Sequence, residues 1–272
     1  MPELPEVETV RRGIEPHVVG RTIANVVVRD HRLRWPIEKS LPKKLAGRTI
    51  VGTDRRSKYL LLPLDNGDRL IVHLGMSGRL WVLPHAEPTV KHDHVDVVLD
   101  RGQLLRFHDP RRFGAMLLWP AGDDSHELLD HLGPEPFSDA FDGAYLFRKS
   151  RGRSAAVKTF VMDGRIVVGA GNIYAAEALF RAGIRPTRAA GRLTRAECDR
   201  LAHRIREVLG EAIVQGGTTL RDFAGANGEA GYFQQDLFVY GRDGEPCRAC
   251  GTPIARKVIG QRSSFYCPRC QK

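Results

Sequence analysis

Long apolar runs are missing from this chain. No stretch approaches the roughly 18 consecutive apolar residues that a membrane-spanning helix needs, so no membrane partner is expected. The opening "MPELPEVETVRRG" is acidic and polar, without the apolar centre of a secretory signal, and the expected location is the cytosol. Internal repeats and low-complexity tracts are absent as well. Cysteine is scarce, five in 272 residues. Acidic residues disappear altogether from Cys247 to Lys272, while Arg248, Arg256, Lys257, Arg262, Arg269 and Lys272 remain. With a net charge of +10 and a pI near 9.7, that segment points to a polyanionic partner, most simply nucleic acid.

What is present describes a globular chain, 42% hydrophobic and 27% charged, long enough for two ordinary domains. Val7, Val10 and Ile14 recur at helical spacing, and Gly13 and Pro16 are expected to weaken the end of that first helix. Pro5 suits its first position, and Glu3, Glu6 and Glu8 suit the positive end of its dipole. From about Thr22 to Trp119 short apolar or alternating runs ("TIANVVVRD", "KYLLLPL", "RLIVHLGMSG", "HVDVVLD", "QLLRFHD", "AMLLWP") are punctuated by "DNG" and "DRG", the pattern of a β-sandwich or barrel. "LGPEPFSD" reads as a linker. Helical patterns follow: "GNIYAAEALFRAG", with Asn172 as N-cap and Gly183 as stop, and "LTRAECDRLAHRIREVLGEAI", with a Thr194/Glu197 capping box and an apolar face of Cys198, Leu201, Ile205, Val208 and Ala212. Cys198 is thus a core residue.

The other four cysteines follow Cys-x2-Cys-x16-Cys-x2-Cys, namely Cys247, Cys250, Cys267 and Cys270, within the spacing of a zinc site. Four thiolates close a tetrahedral ion, so one structural Zn2+ is expected, with no place for catalytic water. The intervening "GTPIARKVIGQRSSFY" reads as a hairpin with Gln261, Arg262 and Ser263 at its tip.

Several constellations stay open on residues alone. "VVGAGNIYA" has Tyr174 where a dinucleotide fingerprint has its third glycine, so a helix N-terminus is the better reading, serving either phosphate binding or ordinary capping. "KHDHVD" is a loop entering a strand with alternate residues solvated, a phosphate contact through His92, or, last of the three, a metal site. "HLGMSG" and "HDPRRFG" read as separate hairpins whose Met76 and Phe113 are either core or a wedge entering a base stack while Arg111 fills the vacancy. Lys58, before an apolar strand, is a snorkelling lysine unless an acid or phosphate lies near. A non-catalytic zinc-ribbon DNA-binding protein fits the charge and cysteines equally well.

Taken in order, "MPELPEVETVRRG", "RRSKYLLL", "HLGMSG", "HDPRRFG", "GNIYAAEALF", "GYF" and "QRSSFYCPRCQ" resemble the bacterial formamidopyrimidine-DNA glycosylase and endonuclease VIII family, from the first residue to the last. The resemblance implies an α+β multidomain fold: an N-terminal helix plus β-sandwich (1–131), a linker (132–152), a helix–two-turn–helix DNA-binding domain (153–232) and a zinc-ribbon hairpin (233–272). It implies a monomer without small-molecule cofactor that acts on damaged double-stranded DNA, excising 8-oxoguanine and formamidopyrimidines and then cleaving the strand. By the same resemblance Pro2 is the Schiff-base nucleophile once Met1 is removed. Glu3 is the general acid/base, supported by Glu6, and Lys58 and Arg262 serve β- and δ-elimination. His73, His92, Arg153, Asn172 and Tyr240 contact the DNA backbone and Lys158 approaches the lesion. Met76, Arg111 and Phe113 fill the void, and Thr218 and Thr219 start the loop over the everted base. Leu4 and the full "HLGMSG"/"DPRRFG" set favour the purine-lesion branch over the endonuclease VIII branch.

Overall fold

A computed structural model describes residues 2–85, 87–216 and 237–272. Expectations for Met1, Thr218, Thr219 and the "GYF" segment lie outside the described residues. The chain divides into two compact units, Met1–Asp130 with Gln215–Gln234 and His131–Val214 with Gln235–Lys272.

In the first unit, helix α1 (Leu4–Val18) runs through Gly13 and Pro16 rather than ending at them. Ile14 and Val18 are fully buried, and their burial, with a bond from the Val19 amide to the Glu15 carbonyl (3.1 Å), holds the last turn. Strands β1 (Arg21–Val28), β2 (Thr49–Ile50, after the short helix α2, Leu41–Leu45), β7 (Asp93–Leu99), β8 (Gln103–His108) and β6 (Arg79–Pro84) form a five-stranded sheet in the order β2-β1-β7-β8-β6. A four-stranded sheet has the order β3-β4-β5-β9, from β3 (Asp54–Arg56), β4 (Tyr59–Pro63), β5 (Arg69–His73) and β9 (Ala115–Trp119). All pairings are antiparallel. Alternate residues of both sheets share one core: Val95, Val97, Leu105 and Phe107 from the first, Leu60, Leu62, Leu70 and Val72 from the second, with Val7, Val10, Ile14 and Val18 of α1. This is the expected sandwich.

Two expectations for these strands change. "HLGMSG" and "HDPRRFG" are not hairpins. The first joins β5 of one sheet to β6 of the other, and the second brings β8 back to β9, so both are crossovers between sheets. The "KHDHVD" alternation also fails, because β7 lies between β1 and β8 and residues 93–97 are all buried. Its acids are ion-paired instead: Arg106 meets Asp96 at 2.8 Å and Asp93 at 3.3 Å, and Arg29 meets Asp96 at 2.5 Å.

In the second unit, helices α3 (Gly143–Ser150), α4 (Val157–Met162), α5 (Asn172–Ala182) and α6 (Arg195–Val214) precede the hairpin β10 (Ala255–Ile259) and β11 (Arg262–Tyr266). The stretch 132–152, read as a linker, contains α3, whose hydrophobic side packs on α6. The Thr194/Glu197 box forms with both reciprocal bonds (2.8 and 3.2 Å), the expected apolar face of α6 is buried, and Gly183 closes α5 at φ +71°. The N-cap of α5 is Gly171, not Asn172, whose side-chain amide donates to the Ser263 carbonyl at 3.2 Å. Ile259 pairs with Arg262, so the hairpin turns at Gly260–Gln261 and Arg262 opens β11. Ala176 and Phe180 of α5 share a small core with Val239, Ile254, Phe265, Cys247 and Cys267, which docks the ribbon on that helix.

Helices α3 and α6 approach closely at Gly143. A Cβ there would lie 2.5 Å from the Asp199 amide nitrogen. Overpacking of this kind costs about 1–3 kcal/mol. Gly143→Ala is expected to lower the thermal midpoint of unfolding by several degrees while leaving zinc content unchanged.

Candidate functional site

Glu3 is the N-cap of α1, and the cap is reciprocal. The Glu3 side chain accepts from the Glu6 amide, and Glu6 Oε2 accepts from the Glu3 amide at 2.7 Å. Pro5 occupies the second helical position, where no amide donor is missed. Leu4 is fully buried, Glu3 and Glu6 are nearly so, and Pro2 is buried. Two carboxylates and the Pro2 ring thus converge at the positive end of a helix. One turn on, Glu8 accepts from Arg11 and Arg12 and from Arg55 of β3 (3.1 Å). Burial alone would raise the Glu8 carboxyl, but the bonds from Arg11 and Arg12 and the charge of Arg55 hold it below its ordinary value. Arg55 also donates to the Ser57 carbonyl at 2.8 Å, so one carboxylate ties α1 to the turn that carries Lys58.

Lys58 sits in the tight Ser57–Lys58 turn between β3 and β4. Tyr59 pairs across with His73, their rings 4.8 Å apart. Burial, aided by the charges of Lys58 and Arg34, pushes His73 down to about 4. Its Nδ1 accepts from the Gly75 amide at 3.1 Å, so the ring is neutral at ordinary pH and offers Nε2–H as its donor. His73 therefore offers a hydrogen bond, not a cation. Nearby on the crossover loops, Arg111 is exposed, Phe113 is 42% exposed, and the Arg111 guanidinium lies 5.0 Å over the Phe113 ring. Met76 is partly buried.

In the second unit, β11 gathers the expected residues. Lys158, buried, donates to the Ser263 carbonyl (3.1 Å) and Ser264 Oγ (2.8 Å). Asn172 reaches the same carbonyl and the Tyr240 hydroxyl, and Tyr240 packs edge-on against Phe265. Arg262 is exposed beside them, and Arg153 is exposed in the turn after α3. The Sγ atoms of Cys247, Cys250, Cys267 and Cys270 all lie within 4.8 Å of one another, with 247–270 at 4.0 Å and 250–267 at 3.5 Å. A tetrahedral ion with Zn–S bonds of about 2.3 Å requires sulfur–sulfur edges of about 3.8 Å.

Left-handed backbone marks four of the same places, Arg101 in the β7–β8 turn being the exception. Five described non-glycine residues have positive φ: Ser57, His92, Arg101, Arg112 and Gln261. Ser57 precedes Lys58, Gln261 precedes Arg262, Arg112 separates Arg111 from Phe113, and His92 is itself a candidate. Such strain persists only where the surroundings over-determine it, and it gathers at working sites.

Comparison with known proteins decides the family. Sequence models of the formamidopyrimidine-DNA glycosylase N-terminal domain, of its H2TH domain and of the zinc finger found in FPG and IleRS match residues 1–116, 132–224 and 244–272. The chain belongs to the formamidopyrimidine-DNA glycosylase family. It is an enzyme of that family, and its four clustered cysteines hold one structural zinc. Formamidopyrimidine-DNA glycosylases of Pseudomonas putida and Thioalkalivibrio sulfidiphilus are 59% and 58% identical over 272 residues, covering all of both chains. A crystal structure of the Thermus thermophilus protein aligns at a TM-score of 0.88 with 44% identity over 99% of this chain and 98% of its own. A Lactococcus lactis glycosylase variant in complex with Fapy-dG-containing DNA aligns at 0.91 with 35% identity over all of both chains.

For a glycosylase of this family, the supporting residues were the ones hardest to read. Glu177 of α5 is buried and accepts from the amides of Phe238, Val239 and Tyr240 (2.8, 3.0 and 2.9 Å), fixing the entrance to the zinc ribbon. Burial pushes its carboxyl up, against the pull of those amides. Gln271 accepts from the Cys267 amide (2.8 Å) and donates to the Ile184 carbonyl (2.9 Å), pinning the second cysteine pair to the turn after α5. Both stand inside motifs quoted above, but neither role is local: Glu177 binds amides far along the chain, and Gln271 joins the nearby Cys267 amide to the distant Ile184 carbonyl. Glu8 did have a local signal, its spacing of three and four from Arg11 and Arg12.

Two outcomes check this site. Cys250→Ser is expected to lose zinc by metal analysis, and Cys198→Ser, buried in α6, to keep it. His73, with an ordinary value of 6.5, takes a proton on unfolding but not in the fold between pH 6.5 and about 4. The unfolded chain then binds more protons, so stability falls as pH drops through that window. His73→Gln is expected to flatten the decline of the unfolding midpoint over that range.

Proposed function

We propose that this glycosylase excises oxidised purines, 8-oxoguanine and formamidopyrimidines, from duplex DNA through a Schiff base on Pro2, and then cleaves the strand by β,δ-elimination. The observation that carries this reading is the buried Pro2 beside the reciprocal Glu3–Glu6 cap. With Met1 removed, Pro2 offers a secondary amine. An α-amine has a pKa of about 8 against about 10.4 for lysine, so roughly a tenth of it is neutral at pH 7.

The amine attacks the sugar C1′ as the bond to the base breaks, and the proton that the amine loses leaves with the base. Glu3 then gives a proton to the ring oxygen as the C1′–O4′ bond breaks, and the nitrogen lone pair forms an iminium that is cationic without an added proton. That electron sink acidifies the 2′ hydrogen. Its removal expels the 3′ phosphate, with Lys58 as proton donor, and a second elimination, served by Arg262, releases the 5′ phosphate. Covalent catalysis thus replaces one hard displacement by easier steps.

The nucleotide must leave the stack before C1′ can be reached. Met76, Arg111 and Phe113 would fill the space it leaves, and His73, His92, Arg153, Asn172 and Tyr240 would hold the phosphates, with Lys158, which the resemblance places toward the lesion, bonded to the strand that carries Arg262. The surplus of cations predicts binding that weakens with salt. The chain would act as a monomer in the bacterial cytosol or nucleoid, and no described helix is long and apolar enough to cross a membrane.

Oxidised pyrimidines are the second substrate class, because a Lactococcus lactis relative was solved with DNA containing one. Excision of 8-oxoguanine and thymine glycol, each opposite cytosine and adenine, separates the two. Faster release of 8-oxoguanine opposite cytosine supports the purine reading, and a strong preference for thymine glycol overturns it. For the chemistry, borohydride is expected to trap a covalent adduct with lesion DNA, and a retained Met1, which turns the Pro2 nitrogen into an amide, to abolish it and lower excision by at least about a hundredfold, the scale of a lost reacting group.

A further inference from the structure

The two crossover loops are not independent. Between them lies Asp109, a fully buried carboxylate to which the proposed chemistry gives no role. Its Oδ1 accepts from Ser77 Oγ of the Met76 loop at 2.7 Å, and its Oδ2 accepts from the Gly114 amide of its own loop at 2.8 Å. Ser77 Oγ in turn accepts from the Arg111 amide at 3.2 Å, which closes a ring of hydrogen bonds running from one loop to the other and back. The Asp109 carbonyl is held too, by His94 Nε2 at 2.8 Å and by the Arg112 amide at 3.2 Å, while the Asp109 amide donates to the His92 carbonyl at 3.1 Å.

Direct backbone contact seals the pair. Gly75, at φ +64°, has no room for a side chain, since a Cβ there would lie 2.5 Å from the Gly114 nitrogen and 2.6 Å from the Phe113 oxygen. A Cβ on Gly114 would lie 2.7 Å from the His73 carbonyl oxygen. Arg112, at φ +58°, turns to a 2.6 Å ion pair with Asp30, between the exposed Arg111 and Phe113.

We propose that Asp109 is a positioning residue that fastens the Met76 loop to the Arg111–Phe113 loop, so that three side chains from two connections enter DNA as one rigid wedge. This rests on the reading of Met76, Arg111 and Phe113 as void-filling residues. The physical reason is entropic. Two free crossover loops would each have to be ordered on insertion, at about 1–2 kcal/mol per residue fixed. A buried carboxylate that satisfies donors on both loops orders them before DNA arrives. Removing it leaves the Ser77 hydroxyl and the Gly114 amide buried without their acceptor, which frees the loops from each other.

A double-mutant cycle tests the coupling. Ser77→Ala and Asp109→Ala are each measured in the otherwise unchanged enzyme and in a Met76→Ala, Phe113→Ala background. The readout is single-turnover excision of 8-oxoguanine from duplex DNA, normalised to the fraction of enzyme that borohydride traps on DNA with a preformed abasic site. Ser77→Ala, the milder change, carries the test if Asp109→Ala does not fold. The expected result is a loss of about tenfold or more in the first background that vanishes in the second, because the wedge that Asp109 positions is no longer there. Losses that multiply unchanged across both backgrounds would make Asp109 a merely structural residue and overturn the proposal alone. If the Met76→Ala, Phe113→Ala enzyme itself excises normally, the wedge reading falls and takes the proposal with it.

Discussion

The reciprocal bond between Glu3 and Glu6 is the constraint on which the catalytic account depends. A chain terminus is ordinarily the least ordered part of a protein. Here the second residue must be held to within fractions of an ångström if it is to attack a sugar carbon. The first turn of α1 does this with local means: a cap in which each carboxylate satisfies the other's amide, a proline that needs no donor, and Leu4 buried in the fold. One turn later Glu8 extends the hold through Arg55 to the turn that bears Lys58. The segments that carry the proposed nucleophile and proton donor are thereby joined by hydrogen bonds within a single unit.

The same logic recurs wherever a candidate residue stands on a loop. Ser57, His92, Arg112 and Gln261 hold left-handed backbone beside Lys58, at a phosphate candidate, inside the wedge and before Arg262. Three of them are sustained by named neighbours: Arg55 on the Ser57 carbonyl, Asp109 on the His92 carbonyl, and Asp30 on the Arg112 guanidinium. In the second unit Glu177 and Gln271 play the corresponding part, using side chains to bind backbone and fix the zinc ribbon against α5.

Much of this was legible before any coordinates. The cysteine spacing foretold the metal site because tetrahedral thiolate coordination leaves few alternatives. The apolar face of α6 and its capping box were readable because helical periodicity and capping are local. The order of short motifs carried the family. What failed was non-local. "HLGMSG" and "HDPRRFG" look like hairpins to a reader who cannot see that their flanking strands belong to different sheets. "KHDHVD" suggests a loop entering a strand with alternate residues solvated, whereas β7 is central and its acids are neutralised by Arg29 and Arg106. Asn172 looks like a cap because Asn favours that position, yet its amide is drawn to Ser263, far along the chain. Asp109 stood in plain view inside a motif, but a buried acceptor serving two loops leaves no periodic trace.

The account stands on a carbon–nitrogen bond between Pro2 and deoxyribose, and its most direct test is to find that bond. Enzyme trapped by borohydride on abasic-site DNA should be digested with nuclease and protease and the modified peptide sequenced by mass spectrometry. The account predicts the sugar remnant on the N-terminal peptide, at Pro2, in chains that have lost Met1. A remnant on Lys58 or any other lysine, with the N-terminal peptide unmodified, would contradict it.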